Sequence, residues 1–124
     1  MKLIDDFYKI VLLEKNDDSF SCKVSLNANH GLYRVHFPGN PVTPGVCLIQ
    51  MASEILEQEY KYKLLLSSAG SIKFMKPVGP NDNPTFIFSK VVKEDGYLKA
   101  NVSVEDVDQY VKMALVFSIL ENEQ

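Results

Sequence analysis

His36-Phe37-Pro38-Gly39-Asn40-Pro41-Val42-Thr43-Pro44-Gly45-Val46 runs straight into Cys47-Leu48-Ile49-Gln50-Met51-Ala52, and this junction of a stiff loop with an apolar segment decides the architecture. Pro38, Pro41 and Pro44 each restrict the backbone, so the loop has little conformational freedom. Thr43 is a residue type that caps helices and Pro44 suits a first helical position, which predicts a helix starting there. Its opening turns are apolar nearly all round, the pattern of a buried helix rather than a surface one. Its second half, Glu57-Gln58-Glu59-Tyr60-Lys61-Tyr62-Lys63, turns polar and should emerge into solvent, with an end near Tyr62. Leu64-Leu65-Leu66 either prolongs the helix or crosses back to other elements.

Upstream, residues 7–14 are β-branched and aromatic, a strand pattern, and Asn16-Asp17-Asp18-Ser19 is a turn cluster. Phe20, Cys22, Val24 and Leu26 then alternate with Ser21, Lys23, Ser25 and Asn27, so residues 7–27 predict a hairpin with one polar face. Asn27 to Gly31 breaks it, and Tyr33-Arg34-Val35 leads on, with His36 expected where a strand ends. Downstream, Ser67-Ser68-Ala69-Gly70 predicts a turn and Ile72 to Phe74 a short strand. A proline-rich loop follows over residues 76–84, then a strand over 86–92 and a tight turn at Glu94-Asp95-Gly96. Leu98, Ala100, Val102 and Val104 alternate with polar residues, and Val111 to Leu120 forms the last strand. One hairpin, one long buried helix and three or four antiparallel strands make an α+β arrangement. A curled antiparallel sheet wrapped around one central helix, the hot-dog fold, satisfies it, with residues 1–124 as a single domain.

The bulk numbers narrow the function classes. At 124 residues, 46% hydrophobic and 23% charged, the chain suits one globular core. A net charge of -3 argues against binding nucleic acid through a global positive field. No run approaches the roughly 20 apolar residues that span a bilayer. Met1-Lys2-Leu3-Ile4-Asp5-Asp6 turns acidic at once, unlike a signal peptide, so a cytoplasmic location is expected. Cys22 and Cys47 have no metal-ligand spacing and are expected as free thiols.

Several residues are suited to chemistry. His36, held beside Phe37 and Pro38, suits a general base; the alternative is a histidine that closes a turn. The backbone N–H groups of Gly45 and Val46 lie in the first turn of the helix, where no intrahelical acceptor exists, and suit a developing oxyanion; the alternative is an ordinary helix start. Gln50 and Glu54 lie one turn apart on one face. A carboxylate buried there suits a general acid, whereas one at the edge of burial would point to water. Cys47 near the helix start is read as a packed core thiol, and His30 as a surface residue in a polar turn. Lys61, Lys63, Lys73 and Lys76 are candidates for a basic rim, or simply solubilising charge.

His36-Phe37-Pro38-Gly39, Pro41 and Pro44-Gly45-Val46 resemble the signature of the 3-hydroxyacyl-(acyl-carrier-protein) dehydratases of the FabZ/FabA type. Ile72-Lys73-Phe74-Met75-Lys76-Pro77-Val78-Gly79-Pro80-Asn81-Asp82 is similar to that family's strand and loop after the central helix, and the resemblance extends over essentially the whole chain. It implies a hot-dog fold and a homodimer or a higher assembly such as a hexamer, with each site shared between two protomers. It implies loss of water from a 3-hydroxyacyl thioester, giving a trans-2-enoyl thioester, with no metal or organic cofactor. His36 would take the α-proton and the Gly45 N–H would polarise the carbonyl. The partner would be acyl carrier protein, which delivers the acyl chain on phosphopantetheine; neither nucleic acid nor membrane is expected.

The chain departs from this pattern at one place. The family's acid lies fourteen residues after the histidine, and here that residue is Gln50; the family's glutamine one turn on is here Glu54. Three expectations follow. Glu54 takes over the acid role in an active dehydratase, or catalysis is impaired and the protein is an acyl-carrier-binding subunit, or the same fold serves as an acyl thioesterase.

Overall fold

The computed structural model describes residues 2–35 and 39–122, and the side chains of all of these except 121 and 122. The alternation at residues 20–26 and 98–104 is realised as strands with one buried face. Phe20, Cys22, Val24 and Leu26 of β2 (Ser19–Leu26) and Leu98, Ala100, Val102 and Val104 of β5 (Tyr97–Glu105) all point into the core. β1 (Tyr8–Lys15) pairs with β2 as the expected hairpin, and β4 (Thr85–Glu94) joins β5 through Asp95 and Gly96. Both turn residues have positive φ, 53° and 82°, the geometry whose twist matches that of the strands. With β3 (Tyr62–Phe74) and β6 (Gln109–Asn122), the antiparallel sheet runs in the order β1-β2-β4-β5-β6-β3.

A short helix α1 (Leu32–Val35) precedes the long helix α2 (Gly45–Tyr60), which lies on the concave face. Cys47, Leu48, Met51, Ala52, Ile55 and Leu56 are buried there. They join the inward side chains of the strands in one continuous apolar core, with Phe20 stacked on Phe88 at 4.5 Å. This is the hot-dog arrangement. No helix among the described residues is long and apolar enough to cross a membrane.

Four local expectations are corrected. Pro44, not Thr43, occupies the cap position of α2, and no side chain caps it. The Thr43 hydroxyl is instead 2.8 Å from the Tyr33 hydroxyl, and its N–H donates to the Val78 carbonyl at 2.7 Å. Tyr33 to Val35 is helical rather than the end of a strand, because His30 serves the helix start: its Nδ1 accepts the Leu32 N–H at 3.1 Å and its carbonyl accepts the Tyr33 N–H. α2 ends at Tyr60, since Lys61 turns left-handed (φ 60°) and returns its N–H to the Glu57 carbonyl. The predicted turn at Ser67 to Gly70 does not form. β3 runs through it, with register shifts at 63/64, 66/68 and 69/71, because an edge strand can absorb small residues as bulges while keeping one ladder, here with β6.

Candidate active site

His36, Phe37 and Pro38 lie outside the described residues. Their flanks are well anchored. Before them, the Tyr33 ring stacks on Phe7 at 5.3 Å and its hydroxyl meets Thr43. After them, exposed Gly39 adopts a φ of 93°, a conformation that glycine alone takes up readily.

The start of α2 has the open donors its position requires. The N–H groups of Cys47 and Leu48 return to the Pro44 carbonyl, at 3.0 and 3.3 Å. Those of Gly45 and Val46 find no acceptor among the described residues, so these two carry the positive end of the helix dipole. Gly45 lets the Phe74 ring lie close to the helix start. A Cβ on it would stand 2.7 Å from Phe74 Cζ, since the Phe74 ring, 59% exposed, leans over the helix start from β3. The sequence reading missed Phe74 as a site residue, because its contact with Gly45 spans most of a helix and a strand and no local pattern reports it.

Gln50 and Glu54 come together, but in unequal settings. Gln50 is half-buried and lines a groove of about 350 Å³ between α2 and β3, with Val46, Ile49, Ser53, Leu65 and Leu66. Glu54 is 4% exposed and accepts four hydrogen bonds. Oε1 takes the Ile4 N–H (2.8 Å) and the Tyr8 hydroxyl (3.1 Å). Oε2 takes the Leu3 N–H (2.7 Å) and Gln50 Nε2 (2.8 Å). The alternative in which Glu54 points to water is excluded. Burial first, and the Glu54 charge second, raise the Tyr8 phenol well above its ordinary value, so the tyrosine stays a donor. The sequence does hint at this contact: a tyrosine at an inward strand position needs a polar partner for its hydroxyl.

The remaining candidates fall outside this site. Cys47 is buried and its thiol is pushed up by desolvation, which makes it a core residue. Cys22 is fully buried and its thiol is raised to about 11, by burial first and then by Glu59. His30 is a partly exposed residue: its side chain, 19% exposed, sits edge-on to Phe7 and has Nε2 3.1 Å from Asp6 Oδ2. The four lysines do not form one rim. Lys63 pairs with residue 121 at one end of β3 and Lys73 with Lys112 near the other, roughly 30 Å apart at strand rise. Lys76 is engaged with Asp108. A larger hollow of about 710 Å³, at the β1–β2 turn beside Glu59 and Tyr60, contains none of the candidate residues.

Fold and site together define a hot-dog protein whose open helix start borders a groove of mixed polar and apolar lining, Gln50 among it, with the buried Glu54 carboxylate beside it. The chain belongs to the ApeI-like family, described as ApeI dehydratase, which matches residues 13–113. It is 33% identical over 120 residues to the 3-hydroxyacyl-(acyl-carrier-protein) dehydratase FabZ of Lactobacillus helveticus, covering 86% of this chain and 81% of that one. The FabZ of Levilactobacillus brevis is 31% identical over 119 residues, covering 84% and 80%. Among solved structures, the dehydratase heterocomplex ApeI:P from Xenorhabdus doucetiae matches with a TM-score of 0.72 at 16% identity, over 88% of this chain and 96% of that one. A hypothetical thioesterase with coenzyme A from Streptococcus pneumoniae matches at 0.69 and 14%, over 99% and 96%. At such identities these structures establish the shared fold.

Proposed function

We propose that this protein dehydrates 3-hydroxyacyl thioesters carried by acyl carrier protein, as the names of its FabZ relatives suggest. The observation that carries the reading is the start of α2. Two N–H groups with no acceptor among the described residues, a glycine and an overhanging aromatic ring lie at the head of a groove that Gln50 lines. The thioester carbonyl oxygen accepts from the Gly45 and Val46 N–H groups, which hold the negative charge that builds when Cα loses its proton. His36, beside Phe37, Pro38 and Gly39 on the stiff loop, takes that proton. The imidazolium so formed returns that proton to the hydroxyl at C3, the C–O bond breaks, a Cα=Cβ double bond forms, and water leaves near Gln50 and Glu54. No metal or organic cofactor enters the scheme. Dimerisation belongs to the same reading: β3 is an edge strand with exposed Leu65, Leu66 and Phe74, suited to a second copy and to higher assembly. A cytoplasmic setting is part of it as well.

The test is direct. Purified protein is given 3-hydroxyacyl thioesters on acyl carrier protein, and enoyl product is measured. Turnover that falls at least about a hundredfold in His36→Ala supports the reading. Absence of water loss, and of hydration in the reverse direction, refutes it.

One observation favours a second reading. An amide stands at Gln50, and Glu54 is enclosed with both oxygens hydrogen-bonded, so neither side chain presents an acid to the groove. On that reading the chain is an acyl-carrier-binding subunit that works with a different hot-dog chain; ApeI:P, which shares the fold, is itself named a dehydratase heterocomplex. Robust dehydration by the purified chain alone rules it out.

A further inference from the structure

We infer that β1 is a homotypic docking edge: residues 9–14 pair antiparallel with the same residues of a second copy of this chain. This contact is independent of the dehydratase reading and uses the edge of the sheet opposite β3.

β1 ends the sheet, so among the described residues no strand lies beyond it. Its burial differs from that of β2 beside it, where the faces alternate. Val11, Leu12 and Leu13 are consecutive aliphatics, 59%, 51% and 43% exposed. An open strand edge with apolar side chains is a template for another strand. The open part is its middle. At Tyr8 the edge is closed by Ile4, through an isolated bridge and the Asp5 N–H donating to the Tyr8 carbonyl at 2.7 Å. Beyond Glu14, the Lys15 side chain turns to Glu59 at 2.7 Å.

A bulge and charged residues usually guard an edge against pairing, yet here both complement themselves. Val11 is the extra residue of the bulge: Ile10 stands opposite Val24, and Leu12 opposite Lys23. The faces follow from β2. Ile10 and Leu13 lie with Val24 and Cys22 on the concave side, while Lys9, Leu12 and Glu14 lie with Ser25, Lys23 and Ser21 on the outer side. A two-fold axis perpendicular to the sheet keeps every residue on its own face, so the register must pair like faces. With the axis at Leu12, Leu12 meets Leu12 of the second copy, Ile10 meets Leu13, and Lys9 meets Glu14. Each of the last two pairs forms twice. Moving the axis one position along the ladder puts Leu12 opposite Lys9 or Glu14 and leaves the other charge unmatched. Aliphatic pairs and opposite charges directly across two antiparallel strands are both favourable, so the occupant that fits this edge is a second copy. The strip is narrow beside the roughly 20–30 residues a side of a standard interface, which makes the contact weak and concentration-dependent.

Sedimentation of the full-length protein from about 5 to about 500 μM tests this, a range suited to a weak contact. The wild type is expected to show an association step in this range. Leu12→Glu should weaken that step at least about tenfold, because the new carboxylates oppose each other across the axis; within each chain the same position faces Lys23, which favours the fold. Lys9→Glu and Glu14→Lys should each weaken it about threefold to tenfold, since each puts like charges at both ends of the ladder. The double variant restores opposite charges and should return to within about twofold of wild type. Leu12→Cys should form a disulfide with its own copy under mild oxidation, and Lys9→Cys, away from the axis, should not; Cys22 and Cys47 are buried and do not compete. Pairing at β1 is refuted if Leu12→Glu sediments as wild type at every concentration, since any association then belongs to another surface. It is refuted equally if the double charge variant stays as weak as the single ones, or if both cysteine variants cross-link alike.

Discussion

Replacing Gly45 with alanine separates the space required at the helix start from the chemistry proposed there. The new Cβ would lie 2.7 Å from Phe74 Cζ and 3.2 Å from Cε1. Ordinary carbon–carbon contact is about 3.5–4.0 Å, so the ring must withdraw by roughly 1 Å. Phe74 can do this, because its side chain is 59% exposed and the clash is at the far end of the ring. A displaced rotamer costs about 0.5–1.5 kcal/mol. Alanine recovers about 0.5–1 kcal/mol of helix preference over glycine. The two nearly cancel, so the thermal midpoint of Gly45→Ala should stay within about 4 °C of wild type. Turnover should respond quite differently. A methyl group beside the Gly45 and Val46 N–H groups bars close approach of the thioester carbonyl, and loss of an oxyanion donor typically costs about 10²–10³ in kcat. Phe74→Leu in the Gly45→Ala background removes the clash but leaves the methyl, so activity should stay low. The reasoning is refuted if Gly45→Ala keeps full activity, or if Phe74→Leu restores it, since the ring and not the helix start would then be what matters.

Three further outcomes concern stability. Tyr8→Phe removes one of four donors from a buried carboxylate and should cost about 1–3 kcal/mol in urea unfolding. Gly96→Ala meets no neighbouring atom, so its cost is that of the left-handed backbone alone, roughly 1–2 kcal/mol in the same urea measurement. High pH should destabilise the fold. The folded Cys22 thiol is raised from 9.0 to about 11, so its contribution is complete below about pH 9 and is lost as the pH rises through the interval to 11. Tyr8, also raised, acts in the same sense from about pH 10 upward. The urea midpoint should therefore fall between about pH 8 and about pH 10.5, and Cys22 should resist alkylation at about pH 8 in the folded protein; a flat midpoint or rapid labelling contradicts this.

What the amino-acid order determined by itself was local and periodic. Period-two alternation in β2 and β5, the Asp95-Gly96 turn and the all-round apolar start of α2 each depend on neighbours a few residues apart, and together they identified the hot-dog arrangement. The histidine–proline–glycine loop and the exchange of acid and amide at Gln50 and Glu54 were equally legible, being matters of residue type and spacing. Contacts between distant segments were not. Ser67 to Gly70 has turn chemistry, yet pairing with β6 carries it through as bulged strand. Thr43 has cap chemistry, yet its hydroxyl meets Tyr33. His30 has the setting of a surface turn, yet it packs on Phe7 and supports α1. Above all, burial placed Glu54 on one helix face, but only the tertiary structure brought Leu3, Ile4 and Tyr8 to it. A buried carboxylate must collect donors from wherever the fold supplies them, and here three of the four come from residues 3–8.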